Sequence, residues 1–408
     1  MDELDLEVQN EPPAVAPLRE TPVSSRLRSI DLVRGLVMVL MALDHTRGFF
    51  SNANFDPTDL SKTTPAYFLT RWITHYCAPT FMFLAGVGAF QAGRRRSAGA
   101  LCNFLWTRGL WIIVLEFTVV KFGWEFNPTY KGEDGIYGVG GAVLWAIGCS
   151  MIFLSILVWY PAWVSGIVGL AMILLHNAYD GWSPTDPGIF RDIWTVLHVQ
   201  GPVIYKPYAF FSAYPLIPWL GVMVVGYAIG QVFTWPVKER RSFLIFLGLT
   251  LIASFILLRF TNRYGDVRPW SEQSDPWFTL FSWLNCTKYP PSLLYLLMTL
   301  GPCLTLLGLA EYLPDMPFRW LLYFGQVPMF FYILHIYLIH LLAAGLAYFR
   351  FGVSIGDLKR YNDNRPEMGY DLWVVYLIWI GILLALYLPC RWYAGVKARH
   401  KSVWLSYL

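Results

Sequence analysis

Apolar stretches long enough, or nearly long enough, to cross a lipid bilayer recur along the whole chain. A bilayer holds no water to satisfy exposed backbone amides, so segments of this length fold as helices. The sequence therefore predicts an all-α, polytopic integral membrane helical bundle of about ten transmembrane helices, with boundaries uncertain by several residues. The stretches run at 29–50, 66–92, 101–122, 138–160, 162–177, 209–233, 241–260, 290–311, 320–349 and 370–390. Only Pro161 separates the fourth stretch from the short fifth, so 138–177 could instead be a single span with a re-entrant piece. The alternatives to ten spans therefore run from nine to eleven.

The composition points to the same class of protein. Hydrophobic residues make up 56% of the 408 residues and charged residues only 14%, whereas soluble domains carry about 25% charged residues. The net charge of +4 is small and its cations are spread among loops, so we expect no nucleic-acid partner. The six cysteines have neither a C-x-x-C pair nor zinc-like spacing, and we predict no metal site. The expected partners are the lipid bilayer and, as a candidate homodimer, a second copy of the chain.

Clusters of positive charge predict the orientation in the membrane. With ten spans, all four clusters fall on one side, which the positive-inside rule assigns to the cytoplasm. These clusters are Arg26 and Arg28, Arg94–Arg96, Lys238–Arg241, and Lys397 with Arg399 and Lys401. We therefore expect both termini in the cytoplasm. We also expect a disordered cytoplasmic tail over 1–25, one transmembrane domain over 26–393, and a second cytoplasmic tail over 394–408.

The first apolar stretch carries ionisable residues on one face of its predicted helix. Arg34 and His45 are eleven residues apart, which returns a helix almost to the same face about 16 Å further along. Asp31 and Met38 share this stripe. Charge inside a membrane is costly and usually faces a cavity, so the stripe is the first candidate for a functional site. The alternative is an Asp31–Arg34 pair that only fixes helix packing, with His45 at the membrane interface.

The chemistry of the two stripe residues suits a transfer reaction. Imidazole is the usual general base at neutral pH because its pKa is about 6.5, and a guanidinium grips phosphate through two hydrogen bonds. One helix could thus hold a phosphorylated donor near Arg34 and a reacting hydroxyl or amine near His45. Asp44 projects about 100° away from His45 and could instead pair with Arg47 or with a neighbouring helix.

Several sequence segments resemble a known family. Arg34, ten intervening residues and His45 resemble the arginine-x10-histidine signature of membrane-bound acyltransferases, including the family-3 acyltransferases. Segments 28–35, 41–45, 78–86 and 324–335 resemble bacterial members of the heparan-alpha-glucosaminide N-acetyltransferase catalytic-domain family. The similarity extends from about residue 26 to 390 and is strongest in the first two spans and near 320–340. The resemblance implies a transmembrane acetyltransferase that takes its acetyl group from cytoplasmic acetyl-CoA and passes it to an acceptor across the membrane.

The sequence also departs from that family. The family's lysosomal enzyme carries its working histidine in a His-Ala-Ser-Trp-like stretch before the second span, and no such stretch lies between Ser51 and Trp72. His45 or His75 would have to take that part. The heparan sulfate acceptor is therefore not carried over, and we expect a hydroxyl or amine of an envelope glycan, glycolipid or amino sugar.

The remaining candidate residues lie in later spans or beside the stripe. We assign catalysis to His45 with Arg34, donor binding to Arg34 and Lys288, and substrate binding to Asp31, Asp44, His75, Tyr332 and His335. His75 precedes Pro79, so an irregular helix there could expose it to a cavity. Lys288 stands at the predicted start of the eighth span, where exposed amides could attract an anion. Tyr332 and His335 share a helix face, whereas His335 and His340 do not.

Two functions remain open on the sequence, and a third, a non-catalytic membrane scaffold, would leave the ionisable residues inside the spans unexplained. An acyl-CoA-dependent acetyltransferase, O- or N-directed, in a bacterial inner membrane is the first. A small-molecule transporter or exporter with a polar central cavity is the alternative, although the inverted repeats common in transporters are not evident. Between them, the residue stripe and the family resemblance favour the enzyme.

Overall fold

The computed structural model describes residues 27–126, 131, 135–313, 317–352 and 366–400. The predicted tail at 1–25 and most of the predicted loop at 350–369 lie outside these residues. The described part of the chain forms fifteen α-helices. The first eight are α1 (Arg28–Phe50), α2 (Pro65–Thr74), α3 (Cys77–Gly93), α4 (Ala98–Leu115), α5 (Lys121–Glu125), α6 (Val143–Leu157), α7 (Ala162–Leu175) and α8 (Ile189–Leu197). The other seven are α9 (Leu216–Ile229), α10 (Val237–Thr261), α11 (Pro276–Leu284), α12 (Leu293–Ala310), α13 (Arg319–Gln326), α14 (Pro328–Phe351) and α15 (Leu372–Arg399).

The prediction of an all-α, polytopic membrane bundle is confirmed. Eight helical segments of the described chain are long and apolar enough to cross a membrane. The 23-residue α1, which carries the ionisable stripe, and the shorter apolar α6, of 15 residues, lie in the same bundle, and the expected number of about ten spans stays a prediction. Helix α15 continues to Arg399, so the segment predicted as a tail from 394 begins inside a helix.

Prolines interrupt two of the predicted spans. Pro79 has no N–H for the carbonyl of His75, and that carbonyl accepts a hydrogen bond from the Tyr295 hydroxyl at 2.7 Å instead. The chain turns at His75 and Tyr76, between α2 and α3, as the sequence predicted for this place. Val327 leaves the helical region (φ −131°, ψ 53°) because it precedes Pro328, so the stretch predicted at 320–349 is two helices, α13 and α14.

A small sheet replaces the first residues of two predicted helices. Strands β1 (Tyr137–Gly141), β2 (Gly201–Tyr205) and β3 (Tyr208–Ser212) have the order β1-β3-β2. The pair β1–β3 is parallel and the pair β2–β3 is antiparallel. The spans predicted from 138 and 209 were therefore wrong at their starts. Three of the five β1 residues are glycines, which disfavour a helix interior and leave this segment to pair with a strand distant in sequence.

The basic clusters meet at one end of the bundle. Glu311, after α12, accepts hydrogen bonds from Ser29 at the start of α1 and from Arg240 at the start of α10, at 2.6 and 2.8 Å. Gln91, near the end of α3, donates to the carbonyl of Gly230. We call this end, with Arg94–Arg96, Lys238–Arg241 and Lys397, the basic end. The opposite end of the bundle contains the sheet, and there the backbone amide of Tyr370 donates a hydrogen bond to the carbonyl of Phe50. We call it the loop end.

Helices α1 and α13 touch backbone to backbone. A Cβ atom added to Gly35 would lie 2.0 Å from the carbonyl oxygen of Leu321, and one added to Gly325 would lie 1.8 Å from that of Asp31. Only glycine allows this approach. The contact places the first turns of α1 directly against the segment that leads into α14.

Candidate active site

A cavity of about 350 Å³ crosses much of the bundle beside α1. The stripe residues Arg34 and Met38 line it with Met41 of the same helix, together with residues of α3, α4, α6, α14 and α15. Its other walls are mostly apolar. The volume lies at the small end of the range for ligand pockets, which suits a narrow, extended ligand. Arg34 and Met38 of the predicted stripe thus face a cavity, as expected of a charged residue inside a membrane, whereas Asp31 and His45 are not among the residues that line it.

Three cations from three helices line this cavity. Arg34 comes from α1, Arg108 from α4 and Lys397 from α15. The Arg34 guanidinium lies 3.4 Å from a carboxylate oxygen of Asp31 and 3.4 Å from the carbonyl of Gly325. Asp31 is the more buried partner, with 6% of its side chain exposed against 21% for Arg34. Asp31 therefore holds Arg34 in place and does not itself line the cavity.

His45 stands one helical turn beyond Met41, toward the loop end. Its Nδ1 lies 2.7 Å from Nε2 of His335, which is fully buried on α14. Tyr332, which lines the cavity, packs against His45 with ring centroids 6.2 Å apart. Trp124 of α5 packs edge-on from another direction at 4.8 Å. The predicted group of His45, Tyr332 and His335 is therefore one cluster in space, although α1 and α14 are far apart in sequence.

The hydrogen bonds of the two histidines fix where their protons lie. The Nδ1 of His335 is 3.0 Å from the carbonyl of Phe331, which can only accept, so this Nδ1 carries a hydrogen. In a neutral imidazole the other nitrogen is then an acceptor. His45 must donate to it from Nδ1, and its own Nε2 is left unprotonated. This assignment makes Nε2 of His45 the nitrogen able to take a proton or attack a carbonyl.

A second polar cluster lies on the adjacent face of α1. The carboxylate of Asp44 contacts Arg47 at 3.0 Å and Arg71 of α2 at 2.6 Å. The pairing of Asp44 with Arg47 or with a neighbouring helix, expected from the sequence, thus occurs with both. Lys288 interacts electrostatically with Asp44 and with His45. We call Asp44, Arg47, Arg71 and Lys288 the outer cluster.

The predicted position of Lys288 needs correction. Lys288 does not open α12, which begins at Leu293 with the Ser292 hydroxyl as its N-cap. It lies in the irregular segment before the helix, because Pro290 and Pro291 cannot supply amide hydrogen bonds there. Lys288 also lies at the outer cluster and does not line the cavity with Arg34, so the two cations predicted to share donor binding are apart.

His75 and His340 are placed away from the His45–His335 pair. His75 is buried, its ring packs against Tyr295, and its Nδ1 has no hydrogen-bond partner among the described residues. His340 bonds through Nδ1 to the carbonyl of Gly123 and stacks on Phe126. The predicted division of α14 into separate faces for His335 and His340 is confirmed.

Sequence analysis missed three residues of the site. Arg108 lies inside a predicted span, and an arginine there was a usable signal. Lys397 was considered only for orientation, and Trp124 was not singled out. The buried acid Glu116 accepts a hydrogen bond from the backbone amide of Leu144 at 3.0 Å and so caps the start of α6.

Comparison with known protein families identifies the family of this chain. The sequence model for "Heparan-alpha-glucosaminide N-acetyltransferase, catalytic" matches residues 26–259, which is more than half of the chain. The match includes Arg34, His45 and the outer-cluster residues Asp44 and Arg71. No protein in a search of curated proteins matches. The chain belongs to the heparan-alpha-glucosaminide N-acetyltransferase catalytic family, a family of membrane acetyltransferases.

Proposed function

We propose that the protein transfers an acyl group, with acetyl the expected one, from acyl-CoA to a hydroxyl or amine of a glycan, glycolipid or amino sugar. The observation that carries the proposal is a single cavity with three cations along it and the His45–His335 pair beyond Tyr332. A long ligand with phosphates at one end and a reactive group at the other matches this distribution. Acyl-CoA is such a ligand.

The donor would lie along α1 with its thioester toward His45. Arg34, Arg108 and Lys397 would contact the phosphates or stabilise their charge. The cavity is too small for a whole nucleotide and its arm, so the nucleotide would extend out at the basic end. The mostly apolar walls then surround the arm that carries the thioester.

His45 would supply the base for the transfer step. Its Nε2 removes a proton from the acceptor hydroxyl or amine, and the acceptor atom attacks the thioester carbonyl. The carbon–sulfur bond breaks, the new carbon–oxygen or carbon–nitrogen bond forms, and the CoA thiolate takes up a proton. His335 holds the His45 ring and its tautomer through the 2.7 Å contact.

A two-step route would use the same nitrogen. In that route Nε2 of His45 attacks the thioester itself, CoA leaves, and the acyl group passes from the imidazole to the acceptor. The routes differ in whether label from acyl-CoA becomes attached to the protein when no acceptor is present. Either route explains why Nε2 must be unprotonated.

The acceptor would approach from the loop end. The outer cluster lies beside His45 and combines three cations with one carboxylate, so it offers both charge and hydrogen bonds to a polar acceptor. Donor and acceptor would then meet at His45 from opposite faces of the membrane. We propose a bacterial plasma membrane as the location, with the basic end in the cytoplasm.

Binding and turnover can be measured separately on protein purified in detergent. We expect Arg34→Gln to weaken acetyl-CoA binding about 10-fold to 150-fold, because a hydrogen bond to a charged group contributes about 1.5–3 kcal/mol. Arg95→Gln, an exposed arginine at the same basic end, is the matched control and should bind normally. His45→Ala should bind acetyl-CoA but release free CoA about 10²-fold to 10⁴-fold more slowly.

Two outcomes would contradict the proposal. Full turnover by folded His45→Ala would remove the histidine from the chemistry. Failure of folded wild-type protein to bind acetyl-CoA or longer acyl-CoAs would remove the donor. Saturable uptake by proteoliposomes with no acyl donor would support the transporter alternative, which no specific feature of the cavity favours.

A further inference from the structure

Two histidines and an aspartate meet at the loop end, away from the cavity. His176 and Asp180 follow α7 directly, and His198 ends α8. One nitrogen or oxygen from each of the three lies within 4.8 Å of the others. The Nε2 of His198 is 3.9 Å from a carboxylate oxygen of Asp180, and the two imidazole rings are 5.6 Å apart.

The first histidine of this cluster has unused binding capacity. His176 is 3% exposed, and neither of its ring nitrogens has a hydrogen-bond partner among the described residues. One of them faces the carbonyl of Pro291 without the geometry of a hydrogen bond. A buried imidazole without partners costs free energy, and the great majority of buried polar groups are paired. This ring therefore indicates a ligand at the cluster.

The neighbours of the cluster resemble the supporting residues of a metal centre. The side-chain amide of Asn177 donates to one carboxylate oxygen of Asp180 at 2.6 Å, which leaves the other oxygen toward His198. The same Asn177 accepts from the backbone amide of Leu293, the first residue of α12, at 2.8 Å. Trp194 stacks on His198 with ring centroids 4.8 Å apart. Such outer partners orient metal ligands and exclude water.

We infer that His176, Asp180 and His198 bind a divalent transition-metal ion of the zinc class. Two imidazole nitrogens and one carboxylate oxygen are the borderline ligands that zinc prefers, and three protein ligands leave a fourth position for water. Ligand atoms around a tetrahedral ion lie about 3.4 Å apart, from bond lengths of about 2.1 Å. Atoms that already lie within 4.8 Å reach this spacing by side-chain shifts of about 1 Å or less.

Metal binding requires one exchange of partners. His198 now donates from Nε2 to the carbonyl of His176 at 3.0 Å, and this nitrogen must lose its proton and turn its lone pair to the ion. The bound ion would join the end of α7 to α8 and, through Asn177, to the start of α12. This site does not depend on the proposed acyl transfer, because none of its residues lines the cavity.

The test is metal content of the full-length protein, purified through a tag without histidines. Chelator-stripped protein is dialysed against Zn²⁺ and then against metal-free buffer, and bound zinc is counted by mass spectrometry. We expect about one Zn²⁺ per wild-type chain and far less in His176→Ala, Asp180→Asn and His198→Gln. Glutamine at 198 can still donate to the His176 carbonyl, so this variant separates metal binding from folding. Asn177→Ala should bind about 10-fold to 100-fold more weakly.

Controls decide between a site and chance binding. His400→Gln removes an exposed histidine outside the cluster and should keep its zinc. Co²⁺ substituted for Zn²⁺ should give the intense visible absorption of a tetrahedral site in wild-type protein and lose it in His198→Gln. Equal zinc in wild type and in the three ligand variants, or loss of zinc in His400→Gln alone, would overturn the inference.

Discussion

His45 can accept a proton only at Nε2, because its Nδ1 donates to His335. The assignment follows from one carbonyl, that of Phe331, which forces a hydrogen onto Nδ1 of His335. Without His335, the tautomer of His45 would not be fixed in this way. His335 is fully buried, so it acts on substrate only through His45. The substrate-binding role predicted for His335 from the sequence stays a prediction, and we propose that His335 acts by positioning His45.

This arrangement predicts a specific effect of changing His335. His335→Leu should lower kcat by about 100-fold, because a displacement of a reacting group by about 1 Å can cost that much. The Kd for acetyl-CoA should not change, because His335 does not line the cavity. His335→Gln should recover part of the rate, since its side-chain carbonyl can accept from His45. Steady-state kinetics and equilibrium binding on the purified variants measure both quantities.

His340→Gln is the matched control on the same helix. His340 is buried too but contacts Gly123 and Phe126 and not His45, so we expect a normal rate. A full rate in folded His335→Leu would show that His45 needs no partner.

At the scale of helices, the close contact of α1 with α13 sets the position of Arg34. Gly35 and Gly325 let the two backbones touch, and the carbonyl of Gly325 is itself a neighbour of the Arg34 guanidinium. The helix break before Pro328 also helps to place Arg34, because it lets α13 and α14 take separate directions. The helices therefore position the donor end of the cavity through backbone contacts.

A side chain added to this contact should damage both stability and donor binding. In Gly325→Val the new Cβ would overlap the Asp31 carbonyl, so α13 must move away from α1. We expect a lower unfolding temperature and weaker acetyl-CoA binding than in wild type. Gly381→Ala, on α15 with nothing within 4 Å of the new Cβ, should leave both unchanged. Thermal unfolding in detergent and acetyl-CoA binding provide the comparison. Normal values for Gly325→Val would contradict the close packing of α1 on α13.

At the scale of the whole molecule, the basic clusters and the cavity together predict which end of the bundle faces the compartment that holds the donor. The basic end contains the first residues of α1 and the last of α15, while the outer cluster lies toward the loop end. The proposed transfer requires the basic end to face the compartment that holds acyl-CoA. We therefore expect a cysteine replacing Arg95 to be labelled only from the cytoplasmic side.

This orientation can be checked with membrane-impermeant thiol reagents on membrane vesicles of known sidedness. The background is a variant without the six native cysteines, all of which are free thiols in the structure. Arg95→Cys and Trp182→Cys place single exposed thiols at the basic end and in the loop after α7. Arg95→Cys should react only in vesicles that expose the cytoplasmic face of the membrane, and Trp182→Cys only in vesicles that expose the opposite face. Labelling of both from the same side would contradict the direction of transfer.

The sequence predicted the bundle better than the site. The lengths of the apolar runs predicted the helices, and Pro79 predicted the turn between α2 and α3. Both signals come from residues close together in the sequence. The pairing of Gly138 with Ala209 and of His45 with His335 depends on residues far apart in the chain, and no local pattern reports such contacts. The Arg34–His45 stripe was predictable because one helix carries both residues. The His176–Asp180–His198 cluster was not, since a loop and a whole helix separate its members.

The most direct measurement is an electron cryomicroscopy structure of the chain with a ketone analogue of acetyl-CoA, in which a methylene group between the sulfur and the carbonyl prevents transfer of the acyl group. Reacting atoms in an active site lie about 3–3.5 Å apart. We predict that the carbonyl carbon of the analogue lies within about 4 Å of Nε2 of His45, with the phosphates near Arg34, Arg108 and Lys397. Binding of the analogue elsewhere, or with its carbonyl distant from His45, would contradict the proposed acyl transfer.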